Sequence, residues 1–175
     1  MTRRTSVILA HGYNDAGEGK GNVDLLIPSI EGLGLKPVEV NYGLTMRLGV
    51  RLCNKRMSSA LSKLVPKGSI GIGHSNGATL LWLAANYGAS FKRLILVNPA
   101  LDSNVSIPKQ LERVDVFYDP KDPWPSLARF IPFSPWGAMG TRGYNGPDKR
   151  VFNHKHHYGH SGLFRCQPDR IIQLI

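Results

Sequence analysis

Stretches with the composition of β-strands recur along this chain. Residues 5–10 form a continuous apolar run rich in β-branched side chains, which is typical of a strand buried on both faces. Further strands are expected at residues 37–41, 69–72, 92–97, 114–118 and 150–153. The pattern therefore predicts a mostly parallel sheet of about five to six strands.

Helical periodicity fills the intervals between these strands. Helices are expected over residues 23–33, 45–64, 78–87 and 169–175. Asn22 and Gly34 flank the first of them as candidate N-cap and stop signal. Helices that alternate with parallel strands cover both faces of a sheet, so the predicted architecture is a single three-layer α/β/α domain over residues 1–175.

A serine between two glycines separates the third strand from the helix that follows it. Gly73, His74, Ser75, Asn76 and Gly77 fit the pattern G-x-S-x-G. In so tight a strand–turn–helix, the serine takes a strained backbone conformation and its hydroxyl projects outward. Side chains at the two glycine positions would collide with the neighbouring strand and helix. Because the helix N-terminus can stabilise developing negative charge, the pattern predicts a nucleophile at Ser75.

A serine nucleophile needs a base to take its proton and an anion to orient that base. Asp122 lies in the loop after the fifth predicted strand, and His160 lies near the C-terminus. Both follow later strands than Ser75 does. The sequence therefore offers a nucleophile, an acid and a base in that order along the chain.

These residues and their surroundings resemble the α/β-hydrolase superfamily. The resembling segments are residues 8–12, 73–78, 119–125 and 159–162. Because the superfamily keeps the order serine, acid, histidine, the resemblance implies that Ser75 is the nucleophile, Asp122 the acid and His160 the base. It also implies strand order 2-1-3-4-5-6, with a flavodoxin-like sheet as the alternative. In size, the chain is similar to the small serine hydrolases of the retinoblastoma-binding-protein type.

The resemblance further implies an oxyanion hole built from backbone N–H groups. One donor is Asn76, the residue after the nucleophile, and the second is Tyr13 in the loop after the first strand, with Gly12 as the alternative. Backbone donors suit this task because they are preorganised and need no reorientation.

Other residues compete for the acid and base roles. Asp119 precedes Asp122 in the same loop, although its side chain is also suited to cap the turn, and Asp102 follows the fourth strand. His157 is the alternative base. The remaining histidines near the motifs, His11 and His74, are expected to be structural hydrogen-bonding residues.

The histidines between residues 154 and 160 also raise a metal hypothesis. His156 and His160 have i, i+4 spacing, and imidazole suits zinc. However, Gly159 argues against a helix there, and Lys155 would oppose a bound cation. The sequence therefore predicts neither a metal site nor a cofactor.

Residues 126–150 interrupt the alternation of strands and helices. The segment is rich in proline, glycine and apolar residues, so a regular helix through it is not expected. It is interpreted as a lid or pocket wall, with a buttress against the core as the alternative. The side chains of Trp124, Phe133 and Trp136 are the expected substrate-binding groups, and the apolar part suggests an acyl pocket.

The chain is strongly basic, with a formal net charge of +10. Such a charge favours anionic partners, but the basic residues are scattered and no nucleic-acid-binding motif accompanies them. A solvated basic face is the simpler interpretation.

Two sequence features bear on location. No apolar run is long enough to span a bilayer or to form a signal-peptide core, so a cytoplasmic location is expected. Cys53 and Cys166 lack the spacing of a zinc site or a disulfide framework.

Together these features predict a metal-independent serine hydrolase. Ser75 would attack a small acyl substrate and form an acyl-enzyme that water releases. A carboxylic ester or thioester is expected from analogy at the level of the fold. The alternative is a non-catalytic binding or regulatory protein on the same scaffold, which the basic charge and the lack of a cap region would suit.

Overall fold

A parallel β-sheet forms the centre of the computed structural model, which describes residues 4–12, 21–41, 50–124 and 137–175. Its strands are β1 (Ser6–Ala10), β2 (Lys36–Val40), β3 (Ser69–His74), β4 (Phe91–Val97), β5 (Arg113–Tyr118) and β6 (Val151–Lys155). They are arranged in the order β2-β1-β3-β4-β5-β6, with parallel pairing between neighbours. The predicted strand order is confirmed.

Helices cover both faces of this sheet. They are α1 (Ile27–Gly32), α2 (Val50–Leu64), α3 (Asn76–Asn86), α4 (Met139–Arg142), α5 (Leu163–Cys166) and α6 (Asp169–Ile172). On β1, Ile8 belongs to the apolar cluster that includes α2 and α3, whereas Leu9 belongs to the cluster that includes α1, α5 and α6. Because successive side chains of a strand point to opposite faces, β1 supplies both cores, and the predicted three layers are confirmed.

The first predicted helix is divided into two short pieces. A 3₁₀ turn spans Val23–Leu26, and α1 begins only at Ile27 because Pro28, which lacks an N–H, is accommodated in a first helical turn. Asn22 is the N-cap residue of this 3₁₀ turn, as expected, but it makes no side-chain cap bond: its N–H donates to the Asp24 carboxylate at 2.8 Å. Gly34, at φ 75°, follows the helix as expected.

The C-terminal part departs furthest from the predicted elements. The strand expected at residues 150–153 extends to Lys155, where it pairs with Tyr118 of β5, and this brings His154 into the sheet. The helix expected over residues 169–175 is the shorter α6, and α5 precedes it.

The described part of the 126–150 segment packs against the loop after β4. The Met139 N–H donates to Leu101 O at 2.8 Å, and a Cβ at Gly140 would lie 2.9 Å from the carbonyl carbon of Asn98. Residues 126–136 lie outside the described residues, so a lid there stays a prediction.

Two observations concern the wider properties of the chain. Cys53 and Cys166 are both free thiols, the first half-buried and the second exposed. Within the described ranges, no helix has the length and apolarity needed to cross a bilayer.

Candidate active site

Ser75 occupies a strained turn between β3 and α3, and we call this turn, residues 73–77, the elbow. Its backbone has φ 51° and ψ −118°, a conformation that L-residues rarely adopt. A Cβ at Gly73 would lie 2.6 Å from the Ala78 Cα, and a Cβ at Gly77 would overlap the carbonyl oxygens that end β1. Both glycines are therefore required by close packing, as the sequence predicted.

Backbone hydrogen bonds fix the orientation of this turn. The Ser75 N–H donates to Val97 O at 2.9 Å, and the Ser75 carbonyl accepts from the N–H groups of Ala78 and Ala100, each at 3.2 Å. The serine is thus tied both to the first turn of α3 and to the end of β4. Such anchoring offsets the conformational strain, which alone would cost about 1–3 kcal/mol.

Asp122 and His160 form a close pair. His160 Nδ1 lies 2.6 Å from Asp122 Oδ2. The carboxylate is buried and also accepts the side-chain amide of Asn98 at 2.7 Å and the Trp124 N–H at 3.0 Å. Burial would raise the pKa of Asp122, but the hydrogen bonds from His160, Asn98 and Trp124 outweigh it and lower the pKa below its usual value. The carboxylate is therefore ionised at neutral pH and orients the imidazole.

His160 lies next to the elbow. Its carbonyl accepts a hydrogen bond from His74 Nε2 at 2.9 Å, and the two imidazole centroids are 4.8 Å apart. His74 directly precedes Ser75 in the chain. This contact brings the acid–histidine pair to the nucleophile candidate.

His74 is a neutral, buried donor. Burial and the nearby His160 lower its pKa from 6.5 to about 3. Because a carbonyl can only accept, the proton of His74 must be on Nε2. Its Nδ1 has no partner among the described residues, and a Cβ at Gly12 would lie 3.1 Å from it. His74 thus makes a hydrogen bond of the kind expected of a structural residue, as does His11, whose Nδ1 donates to Gly12 O at 2.8 Å.

The rival residues have other surroundings. Asp119 is buried and accepts the N–H groups of Lys121 at 2.9 Å and Gly159 at 2.8 Å. It therefore caps its own turn and also secures the loop that carries His160. Asp102 and His157 are exposed, and Asp102 packs against Gly137.

The contact between two polar residues at this edge was not predicted from the sequence, where His156 was considered only as a metal ligand. Asn98 and His156 are buried, and His156 Nε2 lies 2.7 Å from Asn98 Oδ1. Asn98 directly follows the apolar β4 and takes φ 45°. A polar residue that ends a buried strand is a signal that could have identified it.

The histidines of the metal hypothesis face separate partners. His154 contacts Asp115 at 2.7 Å, His156 contacts Asn98, and His160 contacts Asp122. Across the ranges that the structure describes, no three His, Cys, Asp or Glu side chains are grouped so that they could hold a metal ion.

The predicted oxyanion-hole and substrate-binding residues are only partly covered by the structure. Asn76 is the first residue of α3, and its side chain exchanges hydrogen bonds with Asn54 at 2.8 and 3.1 Å. Trp124 is 62% exposed, with its ring centroid 6.5 Å from that of His160. Three predicted residues lie outside the described residues: Tyr13, Phe133 and Trp136.

Solved structures with this architecture include hydrolases from several sources. A pyrethroid hydrolase from Sphingobium faniae has a TM-score of 0.61 at 14% identity, covering 98% of this chain and 96% of its own. Alpha/beta hydrolase domain-containing protein 10 from mouse has a TM-score of 0.61 at 15% identity, covering 99% of this chain and 92% of its own. A thioesterase domain from the curacin biosynthetic pathway has a TM-score of 0.61 at 13% identity, covering 98% of this chain and 90% of its own. The chain has the α/β-hydrolase fold.

At sequence identities of 13–15%, the similarity to these solved structures concerns the fold alone. Because that fold is the α/β-hydrolase fold, we set the flavodoxin-like alternative aside. The sequence matches no protein-family model and no curated protein. In the α/β-hydrolase fold of this chain, Ser75, Asp122 and His160 follow β3, β5 and β6 respectively. All three therefore lie at the carboxyl edge of the sheet, which is where open parallel sheets bind their ligands.

Proposed function

We propose that this protein is a serine hydrolase that cleaves a carboxylic ester or thioester through Ser75, His160 and Asp122. One observation carries the proposal: a buried carboxylate bonds an imidazole whose own backbone is tied to the residue before Ser75. The small serine hydrolases of the retinoblastoma-binding-protein type remain the family that the sequence suggests.

The hydrogen bond to Asp122 sets the chemistry of His160. Because the carboxylate accepts from Nδ1, the neutral imidazole carries its proton there and leaves Nε2 as the base. In the proposed reaction Nε2 takes the proton of the Ser75 hydroxyl as Oγ attacks the acyl carbon. The resulting imidazolium is stabilised by Asp122, which stays ionised.

The tetrahedral intermediate then collapses to an acyl-enzyme. The bond from the acyl carbon to the leaving oxygen or sulfur breaks, and the imidazolium of His160 returns its proton to the leaving group. A water molecule next gives its proton to His160 and attacks the acyl carbon. Release of Ser75 Oγ, which takes back the proton, yields a carboxylic acid and the free enzyme.

The oxyanion is proposed to be held by the N–H of Asn76 together with that of Tyr13. Asn76 begins α3, a helix of 11 residues whose N-terminal dipole favours negative charge. The paired side chains of Asn54 and Asn76 are buried and hold the first turn of this helix against α2. Preorganised donors of this kind each contribute about 3–4 kcal/mol to transition-state stabilisation.

Acyl esters and thioesters are the proposed substrates. A pyrethroid hydrolase and a thioesterase domain are among the structures with this fold, and their names support this choice. The exposed ring of Trp124 beside His160 is proposed to contact the substrate, together with Phe133 and Trp136.

An activity-based fluorophosphonate tests the proposal, because it modifies only an activated serine. We expect the wild type and the matched control Ser59→Ala, at an exposed serine of α2, to be labelled, and Ser75→Ala to remain unlabelled. A panel of p-nitrophenyl esters of graded chain length then defines the acyl group. Failure of correctly folded wild type to label would contradict the proposal and favour the non-catalytic binding protein.

A further inference from the structure

Asn98 bridges two titratable side chains at the carboxyl edge of the sheet. Its Nδ2 lies 2.7 Å from Asp122 Oδ2, and its Oδ1 lies 2.7 Å from His156 Nε2. Asn98, Asp122 and His156 are all buried, so bulk water does not compete for these bonds. With the 2.6 Å bond to His160, the polar chain runs without a break from His156 to the proposed base.

The backbone of Asn98 is firmly held. It lies in the left-handed region, which asparagine tolerates better than most residues, and its N–H donates to Phe117 O at 2.9 Å. Gly140 packs directly against its carbonyl group. With the backbone fixed, the orientation of the side-chain amide decides whether nitrogen or oxygen faces Asp122.

Asp122 and His156 hold that orientation from opposite sides of the amide. The ionised carboxylate of Asp122 only accepts, so the amide nitrogen of Asn98 must face it and the amide oxygen must face His156. The amide oxygen needs a donor, so His156 must carry its proton on Nε2. Its Nδ1 is then an acceptor, and the Tyr158 N–H lies 3.3 Å from it. Each bond in the chain thus fixes the donor or acceptor role of the next.

We infer that His156 is a positioning residue of the proposed hydrolase, holding the Asn98 amide so that it supports the Asp122 carboxylate. The inference rests on the proposed function, because the network matters for catalysis only if Asp122 and His160 serve Ser75. His156 touches neither the nucleophile nor the base and acts through Asn98.

Loss of the His156 donor has a defined consequence. The buried amide oxygen is then left without its donor, the amide is held from the Asp122 side alone, and the bond that lowers the pKa of this carboxyl is weakened. The carboxylate then becomes more basic and favours the protonated imidazole of the base His160 more strongly, so the acidic limb of the activity profile moves to higher pH. Among the residues that the structure describes, the titratable groups that interact with Asp122 are His160, His74 and His156 itself.

The test compares three variants across about pH 4 to 9. We measure the rate constant of fluorophosphonate labelling and the turnover of p-nitrophenyl butyrate. His156→Leu should lower both the labelling rate constant and the turnover about ten-fold at neutral pH. This figure is the lower end of the range found for residues that hydrogen-bond metal-bound histidines. The same variant should move the acidic limb of the activity profile to higher pH. His156→Gln keeps a donor near the position of Nε2 and should restore most of the rate and the wild-type limb. His157→Gln, at an exposed site, should match the wild type.

Two outcomes would overturn the inference. An unmoved acidic limb in His156→Leu, with a uniformly lower rate, would mean that the residue only fills space. Equal rates for the leucine and glutamine variants would mean that no donor is needed. An unlabelled wild type is a different result, because it removes the proposed function and this role with it.

A measurement on the wild type keeps the inference testable if His156→Leu does not fold. Nitrogen-15 NMR of the histidine rings reports which ring nitrogen carries the proton and needs no turnover. We expect His156 to be neutral at pH 7 with its proton on Nε2, since burial lowers its pKa. A charged ring, or a proton on Nδ1, would contradict the proposed network.

Discussion

Two aspartate–histidine pairs link β5 and β6 or the loops that follow them. His160 lies 2.6 Å from Asp122, and His154 lies 2.7 Å from Asp115. Both carboxylates have no exposed surface, and the two histidine side chains are 22% and 26% exposed. Distance and burial therefore do not distinguish the pair that we assign to catalysis from the other.

The charge around each carboxylate does distinguish them. Asp115 accepts two hydrogen bonds of 2.8 Å from the guanidinium of Arg113, so a full positive charge already neutralises this carboxylate. Asp122 accepts from neutral donors, the Asn98 amide and the Trp124 N–H, in addition to His160. The charge of Asp122 thus remains available to stabilise an imidazolium.

Their positions in the sheet also differ. Asp115 lies within β5, and the His154 ring stacks on Phe117 with centroids 4.7 Å apart. Asp122 lies beyond the end of β5, and its histidine contacts His74 beside the elbow. Its place at the carboxyl edge and its partners are the reasons why we assign the proposed catalytic role to the Asp122–His160 pair, whereas the pair inside the sheet connects an edge strand to its neighbour.

The largest expected contrast is in turnover. Asp122→Asn removes the acceptor that fixes the tautomer of His160, and it should lower the kcat for a p-nitrophenyl ester about 10⁴-fold. Asp115→Asn, within β5, should stay within about three-fold of the wild type. Steady-state kinetics on both variants, with circular dichroism to verify folding, checks the pair. Comparable losses in the two variants would contradict the assignment.

The pH dependence of stability should report the buried neutral His74. Because its folded pKa of about 3 lies below its ordinary 6.5, the unfolded chain binds the extra proton between these values. Its contribution is fully present above pH 6.5 and is lost as pH falls, by about 1.4 kcal/mol per pH unit. Urea unfolding from pH 7 to 4 should show a flatter dependence in His74→Gln. An unchanged slope would mean that His74 is not neutral and buried.

A smaller stability effect is expected at the pair inside the sheet. Burial would raise the pKa of Asp115, but bonds from His154 and Arg113 outweigh it and lower the pKa. Asp115→Asn should reduce the free energy of unfolding at pH 7 by about 2 kcal/mol, a figure that allows for the partly exposed partners. Since the contribution is present above the ordinary carboxyl value of 3.8 and lost below it, the difference should shrink near pH 3. A difference that grows in acid would refute this account.

The smallest effect on stability is expected at an exposed ion pair. This pair provides the baseline against which the two aspartate–histidine pairs with buried carboxylates are compared. Lys92 and Glu112 lie 3.6 Å apart with side chains 58% and 67% exposed. Lys92→Ala should change the free energy of unfolding by no more than about 0.5 kcal/mol. A loss as large as that of Asp115→Asn would show that burial does not separate these pairs.

The sheet and the elbow could be predicted because their signals are local. The strands Ser6–Ala10 and Ser69–His74 are fully buried and contain short apolar runs, and the glycine spacing around Ser75 follows from steric contact within one turn. The chain order of Asp122 and His160 then singled out a pair that the structure joins at 2.6 Å.

Long-range pairing explains what could not be predicted. Asn98 and His156 are 58 residues apart in the sequence, and their contact depends on where β4 and β6 end. His154 enters the sheet because β6 continues along β5 to Lys155, a register set by the partner strand rather than by the residues of β6. The histidine run therefore looked like one loop cluster, although its members face different partners.

The central claim is that the pair at the carboxyl edge, and not the pair inside the sheet, activates Ser75. The most direct measurement is the rate constant of fluorophosphonate labelling for the wild type, His160→Gln and His154→Gln. The account predicts a loss of at least about 10³-fold for His160→Gln and a rate within about three-fold of the wild type for His154→Gln. Equal labelling of the two variants, or a larger loss at His154, would contradict it.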